Sequence, residues 1–572
     1  MNKETLIISC SGNMTKILSL LCLFYSFVTF GQVLETEQDS IRRRKRNRHE
    51  TSQIISQPVR VEIPVKDTND NFDVVDGYEK GLLVVQNTNE QLPNGSVWQF
   101  SFLNNDLIIE WKISRVITNR SDFVGYDYSD GFYFLLFDAP KYNEYQLMVI
   151  DVDGVGAIFH QFELPFNIDL QFFEALDNGV LMVGSYNYRP VALIHDLING
   201  TPKVLPGFYN NNERVFDLVM DEQNRAFSIV LAERMRNAKY TNRIKSFTYD
   251  GLLILENLIN PGEELNLVDG TTTNFGNGVQ YMAGTYSINT SIFSRGIYIS
   301  KFTNGKQRFI KNYNYGELTN FFSYRGNRAS ERIRRKASKK KARGKEKRFN
   351  YRLYIHEIVP KGDVNILIAE AYYPRYSSAP NYGTSRYGNS YYTIGQSSSS
   401  LGGSNFQTFL GYKYTHAIVV AFDSNGDVIW DNSFRTNDVT SYNLEKSVAV
   451  NVQGDKAVIM YLDDGELKSK AIHGDEVLEE KTYNPVTLLH PGDKEVNRDN
   501  EVYGVKNWYE NYLYSYGIQK IKNKTFPKKE RKRRVFYINK IQFDEAIKEY
   551  PDARLTEHKN DNVKDSVKSD VN

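Results

Sequence analysis

The sequence predicts an all-β fold, a β-propeller of four-stranded blades, and two series of tight turns are the basis of this prediction. The first series lies inside alternating apolar hairpins, and the second precedes short apolar strands. Both series recur with a period of about 48 residues, as repeat architectures do. A chain of 572 residues is too long for one ordinary domain unless a repeat extends a single architecture.

The first series consists of seven hairpin turns, most of them Asn-Gly or Asp-Gly. These pairs tolerate the positive φ angles that two-residue hairpin turns require. The turns lie at Asn104-Asn105, Asp153-Gly154, Asn199-Gly200, Asp250-Gly251, Asn304-Gly305, Asn425-Gly426 and His473-Gly474. Their spacings are 49, 46, 51, 54, 121 and 48 residues. The one long interval indicates segments inserted within a single repeat.

The second series has eight members, each followed by an apolar strand. They are Gly81, Gly131, Gly179, Asn224, Gly278, Gly362, Gly454 and Glu510. Two hairpins per repeat give a blade with strands a, b, c and d, in which the first series forms the c–d turns and the second the a–b turns. The sequence therefore favours eight blades, with seven blades and a stray terminal hairpin as the alternative. An ordinary β-sandwich is disfavoured because it predicts no regular period over such a length.

The last repeat contains no strand d of its own. The alternating segment Pro58–Val65, which precedes the first blade, is expected to fill this place. Such an exchange closes the ring by pairing the two ends of the propeller and removes an exposed sheet edge.

In general style the repeat resembles the WD-repeat and quinoprotein-like propellers. The segment from Asp423 to Trp430 (DSNGDVIW) is the one most similar to the quinoprotein-like repeat. The resemblance implies a propeller fold, and no site residue is carried over from it.

The first residues resemble an export signal. Met14, a possible start, is followed by Lys16 and by an apolar run from Ile17 to Phe30. This run is too short to span a bilayer but has the length of a signal-peptide core. The small residue and Gln that follow it, together with the Asn-, Lys- and Tyr-rich composition, resemble exported proteins of Bacteroidota. We expect a signal peptide at 1–31 and no membrane span in the mature chain.

Both cysteines, Cys10 and Cys22, lie within this presequence, so a mature chain has no disulfide, thiolate metal site or cysteine nucleophile. Cys22 is read as a packing residue of the apolar core, although its lipidation stays open. After the signal peptide we expect a basic disordered linker at 32–56 and the propeller at 57–544. A charged, disordered tail is expected at 545–572.

Two insertions are expected in blade six, at about 313–350 and 374–413. The first contains 13 Lys or Arg between Arg325 and Arg348, and the second is a Tyr-, Ser- and Gly-rich flexible loop. Two other basic runs are Lys520–Arg534, with nine basic residues, and Arg42–Arg48, with six. Together the three basic clusters hold 28 of the 71 Lys and Arg but only three acids. The near-neutral total therefore hides an acidic body with basic appendages, which attract polyanions or acidic proteins.

Strand order predicts where the unusual segments project. In an up-and-down blade the b–c and d–a connections share one face, and the a–b and c–d turns share the other. Both blade-six insertions and the Lys520–Arg534 run therefore belong to the first face, whose loops are rich in Tyr and Arg, residue types favoured in recognition surfaces. The candidate binding residues are Tyr186, Tyr188, Arg189, Arg234, Arg236, Tyr286, Arg334, Arg335, Lys339, Lys340, Tyr373, Arg375 and Tyr376.

No motif for catalysis or metal binding was recognised. The eight histidines show no ligand spacing, and Asp151-Val152-Asp153-Gly154 lacks the later ligands of a calcium loop. We therefore expect no metal, no cofactor and a non-catalytic binding scaffold of the bacterial envelope, periplasmic or associated with the outer membrane. It is expected to act beside a secretion, gliding or uptake complex. The expected partner is an envelope protein, an anionic lipid or lipopolysaccharide; export argues against nucleic acid. The alternative is a hydrolase or lyase with its site at the central channel, assembled from single residues of several blades.

Overall fold

The computed structural model describes residues 50–66, 70–118, 121–139, 141, 143–153, 156–276, 278–376, 409–436, 439–454, 456–496 and 501–543. Within these ranges 34 β-strands form eight antiparallel sheets of four or five strands. The predicted signal peptide, most of the basic linker, the low-complexity part of the second insertion and the charged tail lie outside the described residues.

The first strand, β1 (Ile55–Pro64), belongs to the last sheet, and the next sixteen strands form blades 1 to 4 in chain order. Blade 1 consists of β2 (Asn71–Asp76), β3 (Leu82–Leu92), β4 (Gly95–Leu103) and β5 (Ile109–Thr118). Blade 2 consists of β6 (Phe123–Ser129), β7 (Phe132–Asp138), β8 (Glu144–Asp151) and β9 (Ala157–Glu163). Blade 3 consists of β10 (Asp169–Leu176), β11 (Gly179–Tyr186), β12 (Arg189–Asp196) and β13 (Pro202–Val204). Blade 4 consists of β14 (Glu213–Asp221), β15 (Ala226–Arg234), β16 (Tyr240–Thr248) and β17 (Leu253–Leu258).

Blades 5 to 8 follow the same order with additions. Blade 5 consists of β18 (Leu265–Thr272), β19 (Val279–Ile288), β20 (Gly296–Thr303) and β21 (Lys306–Asn314). Blade 6 consists of β22 (Arg352–Lys361), β23 (Val364–Tyr376), β24 (Phe409–Phe422) and β25 (Val428–Arg435), with β26 (Thr440–Ser441) added to β24. Blade 7 consists of β27 (Ala449–Gln453), β28 (Lys456–Asp463), β29 (Glu466–His473) and β30 (Glu476–Pro485). Blade 8 consists of β31 (Asp493–Glu495) and β32 (Glu501–Asn507), both paired with β33 (Tyr512–Asn523), then β34 (Lys532–Phe543) and β1.

The predicted eight-bladed fold is confirmed by this sheet order. Each of the seven turns of the first series joins strands c and d of its blade, and each of the eight turns of the second series joins strands a and b. The all-β prediction included no helix, but the first insertion contains one, the amphipathic helix α1 (Asn327–Lys341). Two short 3₁₀ turns lie at Tyr78–Lys80 and Ser323–Arg325.

The ring is closed by the N-terminal strand, as predicted. Strand β1 pairs antiparallel with β34, from Ile55 opposite Phe543 to Pro64 opposite Val535. Charged side chains reinforce this pairing across blade 8. Glu62 accepts hydrogen bonds from Arg60 and Arg533, each at 2.9 Å, and Arg533 also donates to both carboxylate oxygens of Asp493, at 3.0 and 2.6 Å.

The apolar core is divided among the interfaces between neighbouring blades. Eight clusters of buried side chains are present, one at each interface around the ring. At the closing interface, Phe72 of blade 1 stacks on Phe536 of blade 8 with ring centroids 4.4 Å apart. Because the interior strands are covered on both faces, they read as apolar runs such as Leu82–Val85.

Candidate functional site

The loop face is the side of the propeller that carries the b–c and d–a connections. Its longest described connection is 315–351, which joins strand d of blade 5 to strand a of blade 6. The strand ends place the second insertion at 377–408, outside the described residues. The third basic run is mostly strand, because β33 extends to Asn523 and β34 begins at Lys532. The longer strands leave only 524–531 as the connection in blade 8.

Helix α1 lies in the first insertion and presents a narrow face to the blades. Ser330 and Ala337 are buried and Ile333 is half-buried, at the spacing of one helix face. The remaining surface is basic, and Lys339, Lys340 and Lys341 occupy the last turn. Cations are favourable there because the helix dipole is negative at its C-terminus. This helix was not evident from the sequence because charge dominates its composition and only Ser330, Ile333 and Ala337 form its packed face.

An aromatic cluster fixes the insertion to blades 5 and 6. Tyr315 stacks on Phe321 with centroids 4.2 Å apart, and Phe322 and Phe349 pack beside them. Asp431 of strand β25 accepts hydrogen bonds from the backbone N–H groups of Thr319 and Asn320, at 2.6 and 2.7 Å. Burial raises the pKa of Asp431 to about 6 despite these hydrogen bonds. The basic segment is thus held on a buried platform, unlike the solvated loop that a charge run usually forms.

A cavity of about 870 Å³ separates α1 from blade 5. It brings together three predicted residues, Tyr286, Arg334 and Arg335. Tyr286 was expected on the surface but is fully buried, and its hydroxyl donates to Glu346 at 2.5 Å. Burial first, and then Glu346, raise the pKa of Tyr286, so the hydroxyl stays protonated. Glutamates also line this cavity, and its charge is therefore mixed.

A second cavity, of about 690 Å³, lies where the insertion meets blade 6. Its lining includes one predicted residue, Tyr373, together with Arg325, Arg348 and Arg435, and no Asp or Glu. Their position at one cavity could not be predicted from the basic run in the sequence, because it depends on a strand end and on both ends of the insertion.

The other predicted residues lie elsewhere on the loop face. On blade 3, Tyr186 stacks on Phe166 with centroids 5.0 Å apart, and the guanidinium of Arg189 lies 4.5 Å from the ring centroid of Tyr209. Tyr188, in the turn between them, is 94% exposed. The remaining members are exposed: Arg234 and Arg236 beside blade 4, Lys339 and Lys340 on α1, and Arg375 and Tyr376 at the end of β23. The structure therefore distributes the predicted residues over blades 3 to 6 and helix α1, and their role in binding stays a prediction.

The central channel carries carboxyl groups that the sequence analysis did not identify. The first strands of neighbouring blades contact one another around this channel. Asp127 of blade 2 accepts a hydrogen bond from the backbone N–H of Ala175 in blade 3 at 2.7 Å, and Asp217 of blade 4 accepts one from the hydroxyl of Thr271 in blade 5. Burial raises the pKa of Asp127 and of Asp217 to about 6. These carboxylates join blade 2 to blade 3 and blade 4 to blade 5.

Glu174, on the first strand of blade 3, lies beside Asp127. Burial first, and then the neighbouring carboxylate of Asp127, raise the pKa of Glu174 well above its usual range. Asp269, on blade 5, has a pKa raised to about 7 by burial. Glu174 and Asp269 are therefore protonated more readily than exposed carboxyls are.

The described residues contain neither a cluster of metal-ligand side chains nor a helix that could cross a membrane. No three side chains of His, Cys, Asp or Glu in this part of the chain are grouped as metal ligands. Nor does any described helix combine the length and apolar character needed to cross a bilayer.

Comparison with known proteins gives structural similarity only. No protein-family model and no curated protein matches this sequence. The fold is similar to the β-propeller domain of the Trilobed protease from Pyrococcus furiosus, at 10% identity over 73% of this chain and 95% of that chain, with a TM-score of 0.32. It is also similar to the Nup133 β-propeller domain of Vanderwaltozyma polyspora, at 10% identity over 71% of this chain and 91% of that chain, with a TM-score of 0.34.

A structure from a study of two prolyl endopeptidases is similar at 10% identity over 80% of this chain, with a TM-score of 0.35. The match spans 54% of that chain, about half its length. Similarity at this level says nothing about function, and the fold assignment rests on the blade order described above.

Proposed function

We propose that this propeller is a non-catalytic binding scaffold of the bacterial envelope, which recognises a protein or an anionic envelope component through its loop face. The observation that carries the proposal is the basic helix α1, held on the buried platform of Tyr315, Phe321, Phe322 and Phe349. A fixed basic surface attracts acidic partners without the entropy cost of ordering a free loop. The signal-like presequence supports the envelope location.

Co-purification from detergent-solubilised envelopes tests this proposal. The variant Arg335→Gln/Lys339→Gln/Lys340→Gln removes three exposed charges from α1 and leaves its packed face intact. A matched control, Lys80→Gln/Lys306→Gln/Lys361→Gln, removes three charges from the turns of the opposite face. We expect a stoichiometric partner that the control retains and the α1 variant loses, with binding that weakens as salt rises. Equal retention by both variants would contradict the proposal.

The second candidate is a hydrolase or lyase with its site at the channel. The observation in its favour is the group of channel carboxyls with raised pKa values, particularly Asp127 and Glu174. The hydrogen bond from blade 3 accounts for the burial of Asp127 without a substrate. The conservative variant Asp127→Asn/Glu174→Gln separates the two functions. A scaffold keeps its partner in this variant, whereas a channel enzyme loses its activity.

A further inference from the structure

The cavity at the junction of the insertion with blade 6 has the composition of an anion site. Three arginines from distant parts of the chain line it: Arg325 precedes α1, Arg348 follows it, and Arg435 ends strand β25. The three side chains are exposed, and within the described part of the chain none of them forms an ion pair.

Tyrosines form the remainder of the wall. The hydroxyls of Tyr324 and Tyr351 are hydrogen-bonded to each other at 2.9 Å, so whichever accepts keeps its own O–H free to donate. Burial raises the pKa of Tyr351, and this hydroxyl therefore remains a donor. Tyr372 and Tyr373 add two further aromatic rings to the lining. The cavity thus combines charged donors, a neutral donor and flat apolar surfaces.

A buried histidine packs behind the tyrosine wall of the cavity. His416 is fully buried and stacks on Tyr324 with ring centroids 3.8 Å apart. Its Nδ1 pairs with the hydroxyl of Thr415 at 2.9 Å, and that hydroxyl donates to the carbonyl of Ala371. Burial, and then the charge of Arg325, lower the pKa of His416 to about 3, so the imidazole is a neutral support for the tyrosine.

We infer that this cavity binds a phosphate monoester carried on a body the size of a sugar ring. Arginine forks match oxyanions in bidentate geometry, and a phosphate dianion offers three oxygens to three such groups. A single carboxylate or sulfate ester carries one negative charge and leaves more of the positive charge uncompensated. A volume of about 690 Å³ exceeds the needs of a phosphate group alone and lies in the range of small-molecule sites. The inference rests on the proposed binding role of the loop face and names its ligand class.

Titration of the full chain with glucose 6-phosphate, and with glucose as the uncharged control, tests the inference by calorimetry. The variant Arg325→Gln/Arg348→Gln/Arg435→Gln changes only exposed side chains and is expected to bind glucose 6-phosphate at least ~10-fold more weakly, because charge-assisted bidentate bonds are lost. The α1 variant Arg335→Gln/Lys339→Gln/Lys340→Gln removes the same charge from the same face and is expected to bind within about two-fold of the unaltered chain, because screening weakens distant surface charges.

The replacement of the same three arginines by lysine retains the charge and removes the forks. We expect the affinity of this variant for glucose 6-phosphate to lie between those of the Arg→Gln variant and the α1 variant. A general loss of folding does not produce such an intermediate affinity. Vesicles containing phosphatidic acid, with phosphatidylcholine vesicles as control, form a second arm. Binding there and not to glucose 6-phosphate assigns the phosphate monoester to a lipid headgroup, and the reverse result assigns it to a soluble sugar phosphate.

Two results overturn the inference: the unaltered chain binds neither phosphate probe, or the α1 variant loses as much affinity as the arginine variant. Neither result disturbs the co-purification experiment, in which the α1 variant alone decides the proposed function. Conversely, if the α1 variant loses the partner but still binds the phosphate probe, the phosphate site stands and partner recognition is assigned to α1.

Discussion

Glu370, on strand β23 of blade 6, is a fully buried carboxylate that joins its blade to blade 7. Its Oε1 accepts hydrogen bonds from the backbone N–H groups of Ser447 and Val448, both at 2.8 Å. Its Oε2 accepts one from the Ser447 hydroxyl, and His356 Nε2 lies 3.0 Å from Oε1. The replacement Glu370→Ala removes both carboxylate oxygens and leaves their donors buried without an acceptor.

The cost follows from those donors. A buried donor without a partner costs about 1–3 kcal/mol, and removal of one member of a buried charged network costs about 3–5 kcal/mol. We therefore expect Glu370→Ala to lower the free energy of unfolding by about 3–5 kcal/mol. Glu370→Gln keeps a carbonyl oxygen for the two N–H groups of Ser447 and Val448, so its cost is expected to be about 1–2 kcal/mol, the value of weakened rather than lost hydrogen bonds.

Urea-induced unfolding measures these changes, and hydrogen exchange at the Ser447 and Val448 amides localises them. Glu357→Ala is the matched control, because this glutamate lies on strand β22 of the same blade but is 49% exposed. Its ion pair with Lys446, at 4.0 Å, is long and solvated. Its replacement is expected to change stability by less than about 0.5 kcal/mol. A loss of stability in Glu370→Ala no larger than in Glu357→Ala, or unchanged exchange at the two amides, would refute this assignment of Glu370 as a link between the blades.

Three further predictions concern ring closure, the basic insertion and a turn. Burial raises the pKa of Asp493, but the hydrogen bonds from Arg533 on β34 outweigh it and lower the pKa to about 2. The ion pair therefore contributes fully to the free energy of unfolding above about pH 4, the usual pKa range of an aspartate, and this contribution is lost as pH falls toward 2. In Asp493→Asn the urea midpoint, measured between pH 2 and 5, should lack this pH-dependent contribution. Tyr286→Phe removes the hydrogen bond to Glu346, and faster tryptic cleavage within 343–348 than in the unaltered chain is expected; an unchanged rate contradicts this. Gly426→Ala should lower the thermal midpoint more than Gly454→Ala. Both glycines have positive φ, but only at Gly426 does the new Cβ clash with a ring, that of Phe309, whereas Gly454 has open space around it. Equal shifts of the two midpoints contradict this prediction.

The turns explain why the fold was predictable. Gly426, with φ +77°, and the other hairpin glycines adopt a backbone conformation that few other residues adopt, so their recurrence marks strand ends directly in the sequence. Two such series in a fixed order predict the blades, and β1 could be identified because its alternation precedes the first complete blade. Helix α1 could not be identified from the sequence, because its packing depends on an aromatic platform assembled from both ends of the insertion.

The candidate site was predictable only as a face. Strand direction alone assigns the b–c and d–a connections to one side, and so the sequence placed Tyr188, Arg234 and Tyr373 there correctly as loop-face residues. Burial is a property of three-dimensional packing, and this is why Tyr286, read as a surface residue, lies in the core against Glu346.

The sequence by itself determined the repeat, the blade order, the exchange of the closing strand and the concentration of basic charge in a few segments. These properties are local, since they depend on turn conformation and on the two-residue period of strands. Only the tertiary structure decided which charges meet. Arg325 and Arg435 are 110 residues apart in the chain and line one cavity, while the carboxylates of Asp217 and Glu370 are hydrogen-bonded to neighbouring blades. Such convergence depends on how blades pack around the ring, and no local pattern encodes it.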